Sequence, residues 1–273
     1  MAGIFLAFIN FRPTGNFFKD LVTSDFVGLK NFQQLFKLGR IGVIIRNTLL
    51  YNLIFIVLGV VLPILFAVII SQLHSKIMAK LYQSVMFLPY FLSWVVVTTV
   101  MFGILAEKGF VNNILASFGM DRIRFYLEPS YWPFILLIMN LWKMTGYNMV
   151  VYLAAITGLD DTYYEAAIID GANKKQQVRY ITLPLIKSVA IVMFIMSIGR
   201  IMYSDFGLFY QLPRGSGSLR NVTQTIDVYV YSMMSKSTEL ASSAGFVQSV
   251  IGFFTIIVVN FIIRKVEPES AIF

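Results

Sequence analysis

EAAIIDGANKKQQVRYITLPL, residues 165–185, lies between two of the most apolar stretches of the chain. Just upstream, Asp160 and Asp161 precede Thr162-x-x-Glu165. That spacing is a capping box, in which a hydroxyl and a carboxylate satisfy free N–H groups at a helix start. Acidic residues also suit the positive end of a helix. The pattern predicts a helix that begins near Tyr163 and runs through Asp170. Gly171 tolerates the left-handed conformation that ends helices. A second short helix is expected over residues 174–180, with Pro184 in the first turn of the next segment, where its missing N–H is harmless. A helix of about eight residues is about 12 Å long and needs a packing partner to persist. Ala166 and Ala167 leave room for close approach, while Glu165 and Asp170 offer ionic contacts at the rim.

The surroundings of this polar interruption read as membrane. Of 273 residues, 58% are hydrophobic and 13% charged, whereas about a quarter of a soluble domain is charged. Spanning a bilayer takes about 20 mostly apolar residues. Windows 48–70, 81–105 and 240–263 exceed that without an Asp, Glu, Lys or Arg. Windows 131–159 and 183–204 also qualify and carry cations, Lys143 and Arg200 among them. An all-α integral membrane protein with about five full spanning helices follows. A soluble core is excluded because too little polar surface remains to cover it. Barrel strands alternate polar and apolar residues, which these continuous runs do not. Residues 1–11 are apolar, about half a span, without the basic start or cleavage site of a signal peptide. They are expected to be the second half of a truncated N-terminal helix.

The intervening segments supply further expectations. Residues 12–47 contain VGLKNFQQLF, whose Val27, Leu29, Phe32, Leu35 and Phe36 recur at near-helical spacing. GFVNNILASFGM in the 106–130 loop is a second short amphipathic piece. Pro63 and Pro89 fall inside spans and mark kinks or boundaries. With no cysteine in the chain, disulfides, thiolate metal sites and cysteine nucleophiles are excluded. The net charge of +8 fits anionic headgroups and loop bias. No basic run is interleaved with aromatics, which argues against nucleic acid. The lone histidine, His74, is expected to be solvated. Charge bias leaves the orientation open: Lys174, Lys175 and Arg179 on one side are matched by Arg12, Lys19, Lys30 and others on the opposite side.

The complete spacing is more specific than its parts. Glu165-Ala166-Ala167, Gly171, Ile181 and Leu183-Pro184 resemble the EAA motif of the permease subunits of binding-protein-dependent ABC importers. VGLKNF, RNTLLYN, LPYFLSWVVV, DVYVY and the whole run YLAAITGLDDTYYEAAIIDGANKKQQVRYITLP are similar to the oligosaccharide branch, the group around the maltose importer's membrane subunits. The resemblance covers nearly the whole chain, starting inside the family's first helix, and implies a type I importer permease fold. It implies one transmembrane domain over 1–273 with a cytoplasmic coupling segment at 160–184. In that reading Glu165 and Asp170 contact an ATPase, Ala166 and Ala167 permit tight seating, and Gly171 makes the bend. It further implies a bacterial plasma membrane, a second permease subunit, an ATPase dimer and an extracytoplasmic solute-binding protein as partners. This chain has no G-x-x-x-x-G-K-[ST] phosphate loop, so ATP and magnesium belong to the separate ATPase subunits, and the chain is not itself an enzyme.

Ionisable residues at membrane depth default to functional candidates. Lys143 in NLWKMTGYN is flanked by Asn140, Trp142, Tyr147 and Asn148, aromatic and polar groups of the kind that bind sugars. Asn140, Tyr147 and either Lys143 or Met144 share a helical face; Trp142 lies off it. Lys143 could instead pair with an acid or snorkel. Arg200, Tyr203 and Asp205 lie near the outer end of the fifth span and form either a helix-end ion pair or part of the pathway. The leading reading is a carbohydrate permease subunit. The alternatives are an ABC permease for a polyol or glycerol phosphate, or a secondary transporter, which leaves the EAA spacing without a purpose.

Overall fold

The computed structural model of the chain describes residues 2–11, 15–37 and 39–266. Arg12 and the tail from residue 267 lie outside the described residues. Among the described residues, regular structure is helical except for one antiparallel pair of two-residue strands, Ile9–Asn10 and Asp25–Phe26, in register Ile9 with Phe26. Short helices α1 (Ala2–Leu6), α2 (Phe17–Thr23) and α3 (Lys30–Lys37) precede the long α4 (Ile41–Ser71). Then come α5 (Lys76–Phe91), α6 (Trp94–Leu105), α7 (Phe110–Ser117) and α8 (Trp132–Thr157). The polar interruption holds α9 (Thr162–Ile169), α10 (Lys174–Gln177) and α11 (Leu183–Leu185). After it follow α12 (Lys187–Ile198), α13 (Arg220–Thr223), α14 (Ile226–Met234) and α15 (Thr238–Val266).

Among the described residues, 4 helical stretches are long and apolar enough to span a membrane: Ile41–Ser71, Trp94–Ser117, Pro129–Thr157 and Thr238–Lys265. The count becomes 5 if Lys174–Leu185 and Lys187–Ile198, bent by 55°, are one span. Two expected windows therefore change shape. The 81–105 window is not one helix: Leu92 is extended, and the Ser93 hydroxyl accepts the Val96 N–H at 3.3 Å to begin α6 afresh. The 183–204 window is helical across α11 and α12, bent at Ile186, and irregular chain follows Ile198. Residues 2–11 are not a continuous half-helix either. Helix stops at Leu6, and Ile9 and Asn10 pair as a strand.

The chain forms two compact units. The first comprises Met1–Leu53, Ser93–Leu136 and Arg200–Thr255. Its core joins Leu35 of α3, Ile41 and Ile44 of α4, Ile226 and Tyr229 of α14, Met202, and Ala244 of α15. Leu35 is the buried member of the amphipathic pattern read in α3, while Leu29 and Phe36 are exposed. The second unit comprises Ile54–Leu92, Leu137–Gly199 and Ile256–Phe273. There Met149, Tyr152, Leu153 and Ile156 form one stripe of α8 at helical spacing, packed with Ala67 and Ile70 of α4 and Ile186. α8 meets α5 backbone to backbone at Gly146, where an added Cβ would stand 1.8 Å from the Met86 carbonyl oxygen. Only glycine permits that approach.

Candidate functional site

The polar segment forms its helix largely from its own residues. α9 starts at Thr162, but the expected capping box is not what starts it. Asp160 Oδ1 accepts the Thr162 N–H at 2.9 Å, and Asp161 occupies the cap position without a side-chain bond. Asp160 reaches the free N–H first, so Thr162 is drawn into the first turn. That N–H, with a weaker contribution from the Thr162 side chain, holds the exposed Asp160 carboxyl below its ordinary pKa. A capping box forms instead at the start of α10: Asn173 Oδ1 accepts the Gln176 N–H at 3.0 Å, and Gln176 Oε1 accepts the Asn173 N–H at 2.8 Å.

Gly171 ends α9 with φ +80°, as its sequence position predicts. Its N–H donates to the Ile168 carbonyl at 3.0 Å and the Ala172 N–H to the Ala167 carbonyl at 2.8 Å, a Schellman closure. The second helix differs from a simple 174–180 run. α10 passes into a π-helical turn at Val178–Thr182, and Pro184 sits in the three-residue α11 ahead of the bend at Ile186. The Tyr164 hydroxyl lies 2.9 Å from Thr182 Oγ1, and Gln177 Nε2 donates to the Ala172 carbonyl at 3.2 Å, tying the two helices together. Glu165, Ala166, Asp170, Gly171, Leu183 and Pro184 are exposed, and Ala167 and Ile181 are half-buried. Ile168 and Ile169 are also exposed, Ile169 at 86%. His74 is exposed as well.

In the second unit Lys143 is 6% exposed. Its Nζ donates to the carbonyls of Pro89 at 3.3 Å, Tyr90 at 3.0 Å and Leu92, the C-terminal end of α5. Three acceptors match the three N–H donors of an ammonium group, and a cation suits the negative end of a helix. Lys143 thus takes a third role that the sequence reading did not weigh: it caps a broken helix. Tyr147 stacks on Tyr90 with centroids 4.4 Å apart and planes at 17°, leaving both rings partly exposed. Asn148 donates to the Gly59 carbonyl at 3.3 Å, and Asn140 is half-buried. Trp142 lines an apolar cavity of about 450 Å³ with Leu62, Phe66 and Pro89, apart from the Tyr90–Tyr147 stack as its helical position implies.

In the first unit the expected Arg200–Asp205 ion pair does not form. Asp205 accepts from Trp94 Nε1 at 2.7 Å and from the backbone N–H groups of Gly207 at 2.8 Å and Leu208 at 3.3 Å, so its carboxylate starts the π-helical turn Gly207–Gln211. Arg200 and Tyr203 are exposed. The irregular chain around them is held by residues that went unassigned in the sequence. Asn52 Nδ2 donates to the carbonyls of Ile201 at 2.7 Å and Tyr203 at 3.0 Å. Asn47 Nδ2 serves Asn221 and Gln224, Tyr51 Oη serves Val222, and Thr48 Oγ1 accepts the Ile226 N–H. From α15, Gln248 donates to the Met202 carbonyl at 2.8 Å and to Asp227. The available signal was RNTLLYN itself: Asn47, Thr48, Tyr51 and Asn52 recur at i, i+1, i+4 and i+5, a polar stripe entering an apolar helix.

Residues 59–268 match the family described as binding-protein-dependent transport system inner membrane component. The chain is 31% identical to the polygalacturonan/rhamnogalacturonan transport system permease protein YteP of Bacillus subtilis (strain 168), over 99% of this chain and 83% of that one. Among solved structures, a bacterial ABC transporter involved in the import of the acidic polysaccharide alginate superposes with a TM-score of 0.86 and 28% identity, covering 97% of this chain and 88% of that one. A bacterial alginate ABC transporter in complex with an alginate pentasaccharide-bound periplasmic protein gives 0.82 and 30% identity, covering 88% and 84%.

Proposed function

The chain belongs to the inner membrane components of binding-protein-dependent transport systems, and from that premise we propose that it forms the carbohydrate pathway of an ATP-driven importer. Residues 1–273 act as one permease domain, and residues 160–184 are its cytoplasmic coupling segment. The observation that carries this reading is the exposed face of α9. Outside the apolar spans, Ile168 and Ile169 stand in the open beside Glu165 and Asp170, whose carboxylates have no partner among the described residues. A short helix that presents apolar and acidic groups needs an external surface to pack on. An ATPase subunit cleft with a basic rim provides one, and the ATPase dimer holds ATP and magnesium. Motion of α9 passes to the π-helical turn ahead of α12 through the Tyr164–Thr182 bond, with Gln177 bracing the linker at Ala172, rather than dissipating at Gly171.

A second permease subunit and an extracytoplasmic solute-binding protein complete the assembly in the bilayer. Relatives that act on polysaccharides support a carbohydrate cargo. The partly exposed Tyr90–Tyr147 stack fits the apolar face of a sugar ring, with Asn140 and Asn148 nearby for hydroxyls. On this reading Lys143 and Trp142 position the pathway wall, and Arg200, Tyr203 and Asp205 contribute to its irregular stretch. The test is reconstitution with the partner subunits in proteoliposomes. Glu165→Lys and Ile169→Asp should leave folded permease but abolish ATP-dependent uptake of labelled oligosaccharide. Uptake and ATP turnover at wild-type rates in both variants would refute coupling through α9.

A further inference from the structure

We propose that a cavity beside α13 and α14, in the first unit, is a binding subsite for an acidic saccharide, one that carries a uronate carboxylate among its hydroxyls. The proposal rests on the carbohydrate reading above and narrows its substrate class. The cavity encloses about 530 Å³, within the range of small-molecule sites. Its wall carries two cationic side chains, Arg220 and Lys236, and no Asp or Glu among the described residues. Neither cation has an ion-pair partner there. A guanidinium presents a planar fork that matches a carboxylate through two parallel hydrogen bonds.

The remaining wall suits a sugar ring. Tyr210 and Tyr231 meet at 5.1 Å and 61°, an angled pair of aromatic faces. Phe206 stacks on Tyr210 at 4.8 Å and 21°, which fixes the orientation of that face. Ser216 and Gln224 add a hydroxyl and an amide for sugar hydroxyls. A neutral sugar would leave both cations unused, and an apolar ligand would desolvate them without return. The site is also preorganised. The backbone that carries Arg220 and Gln224 is pinned at Asn221, Val222, Gln224 and Ile226 by Asn47, Tyr51 and Thr48. Ordering costs that would weaken a mobile loop are met before the ligand arrives.

The permease–ATPase complex, without solute-binding protein, is placed in phosphatidylcholine nanodiscs and titrated calorimetrically. The probes are trigalacturonate, its fully methyl-esterified form and maltotriose. Trigalacturonate should bind at least about tenfold more tightly than either neutral probe, the effect of one charge-assisted contact, and its affinity should fall as salt rises. Arg220→Gln and Lys236→Gln should each weaken trigalacturonate about tenfold and leave maltotriose unchanged. Both side chains are exposed, so the variants should keep the wild-type thermal midpoint. Equal affinity for acid and ester, or wild-type affinity in both variants, overturns the proposal. So does complete displacement by phosphatidylglycerol in the disc, which would identify a lipid headgroup site. Vesicle uptake separates the two readings. A neutral oligosaccharide carried without acid binding removes this subsite and leaves the carbohydrate cargo standing. Uptake of no saccharide removes the cargo reading itself.

Discussion

Two regions of the molecule interrupt their helices and satisfy the exposed backbone in different ways. At the end of α5 a single amine, Lys143 Nζ, takes the carbonyls of Pro89, Tyr90 and Leu92. Along residues 201–226, four neutral side chains of α4 and one of α15 each take one or two backbone groups. Geometry explains the difference. A helix end points its last carbonyls the same way, so one ammonium can collect several and also answer the helix dipole. An irregular segment presents its groups singly and in different directions, so the donors must be spread along a neighbouring helix.

That contrast gives a ranked set of expectations. Lys143→Met keeps the bulk but removes the amine from all three carbonyls at once, leaving only the Pro89 carbonyl, among the described residues, with a second donor, the Leu92 N–H. It should destabilise the protein by about 3 kcal/mol or more, since each buried acceptor left unmade costs about 1–3 kcal/mol. The readout is the thermal midpoint of the detergent-solubilised complex by size-exclusion after heating. Lys143→Arg should recover part of the loss; no difference between the Met and Arg variants would mean that packing, not donation, is the role of Lys143. Asn52→Leu should have a smaller effect, about 1–3 kcal/mol, because only the Ile201 and Tyr203 carbonyls lose their donor. If distributed support is real, Asn47→Leu should add to it nearly independently. Strong coupling between the two would mean the segment is held as a unit.

Smallest of the series is Asn173→Ala in the polar segment, about 1 kcal/mol of local helix stability from the lost cap. Its signature is faster amide exchange in residues 172–178, with the global midpoint unmoved. Asp160 adds a pH dependence of the same local kind. Its folded-state pKa is lowered, so its contribution is present above the unfolded value and is lost as pH falls through the folded one. Relative to the intrinsic exchange rate, which itself slows on acidification, the protection of the Thr162 and Tyr163 amides should therefore fall as pH enters the carboxylate range, and Asp160→Asn should flatten that dependence.

The glycine stop and the first helix of residues 160–185 were legible in the sequence because their signals are local. Gly171 ends α9 with a positive φ because few other residues tolerate that conformation, and no tertiary contact is needed to read it. Even the cap that replaces the expected box stays local, since Asp160 lies two residues from the N–H it takes. The break inside 81–105 was harder. Hydropathy is uniform across Leu92 and Ser93, and the residue that makes the break tolerable lies about fifty positions away in sequence, at Lys143. Arg200 and Asp205 illustrate the converse. Their proximity and opposite charge suggested a pair, yet Trp94 and two backbone N–H groups claimed the carboxylate.

By itself the sequence determined that the chain is helical and membrane-embedded, where its spans approximately lie, and that a capped helix with a glycine stop interrupts them. Composition, period and local hydrogen bonding suffice for those features. Tertiary structure alone decided which polar residues in the apolar runs serve the backbone and which remain open to a ligand. Lys143, Asn47 and Asn52 look as available for substrate as Arg220 does when read as letters. They differ because three-dimensional packing brings carbonyls to the first three and leaves the fourth at the edge of a cavity.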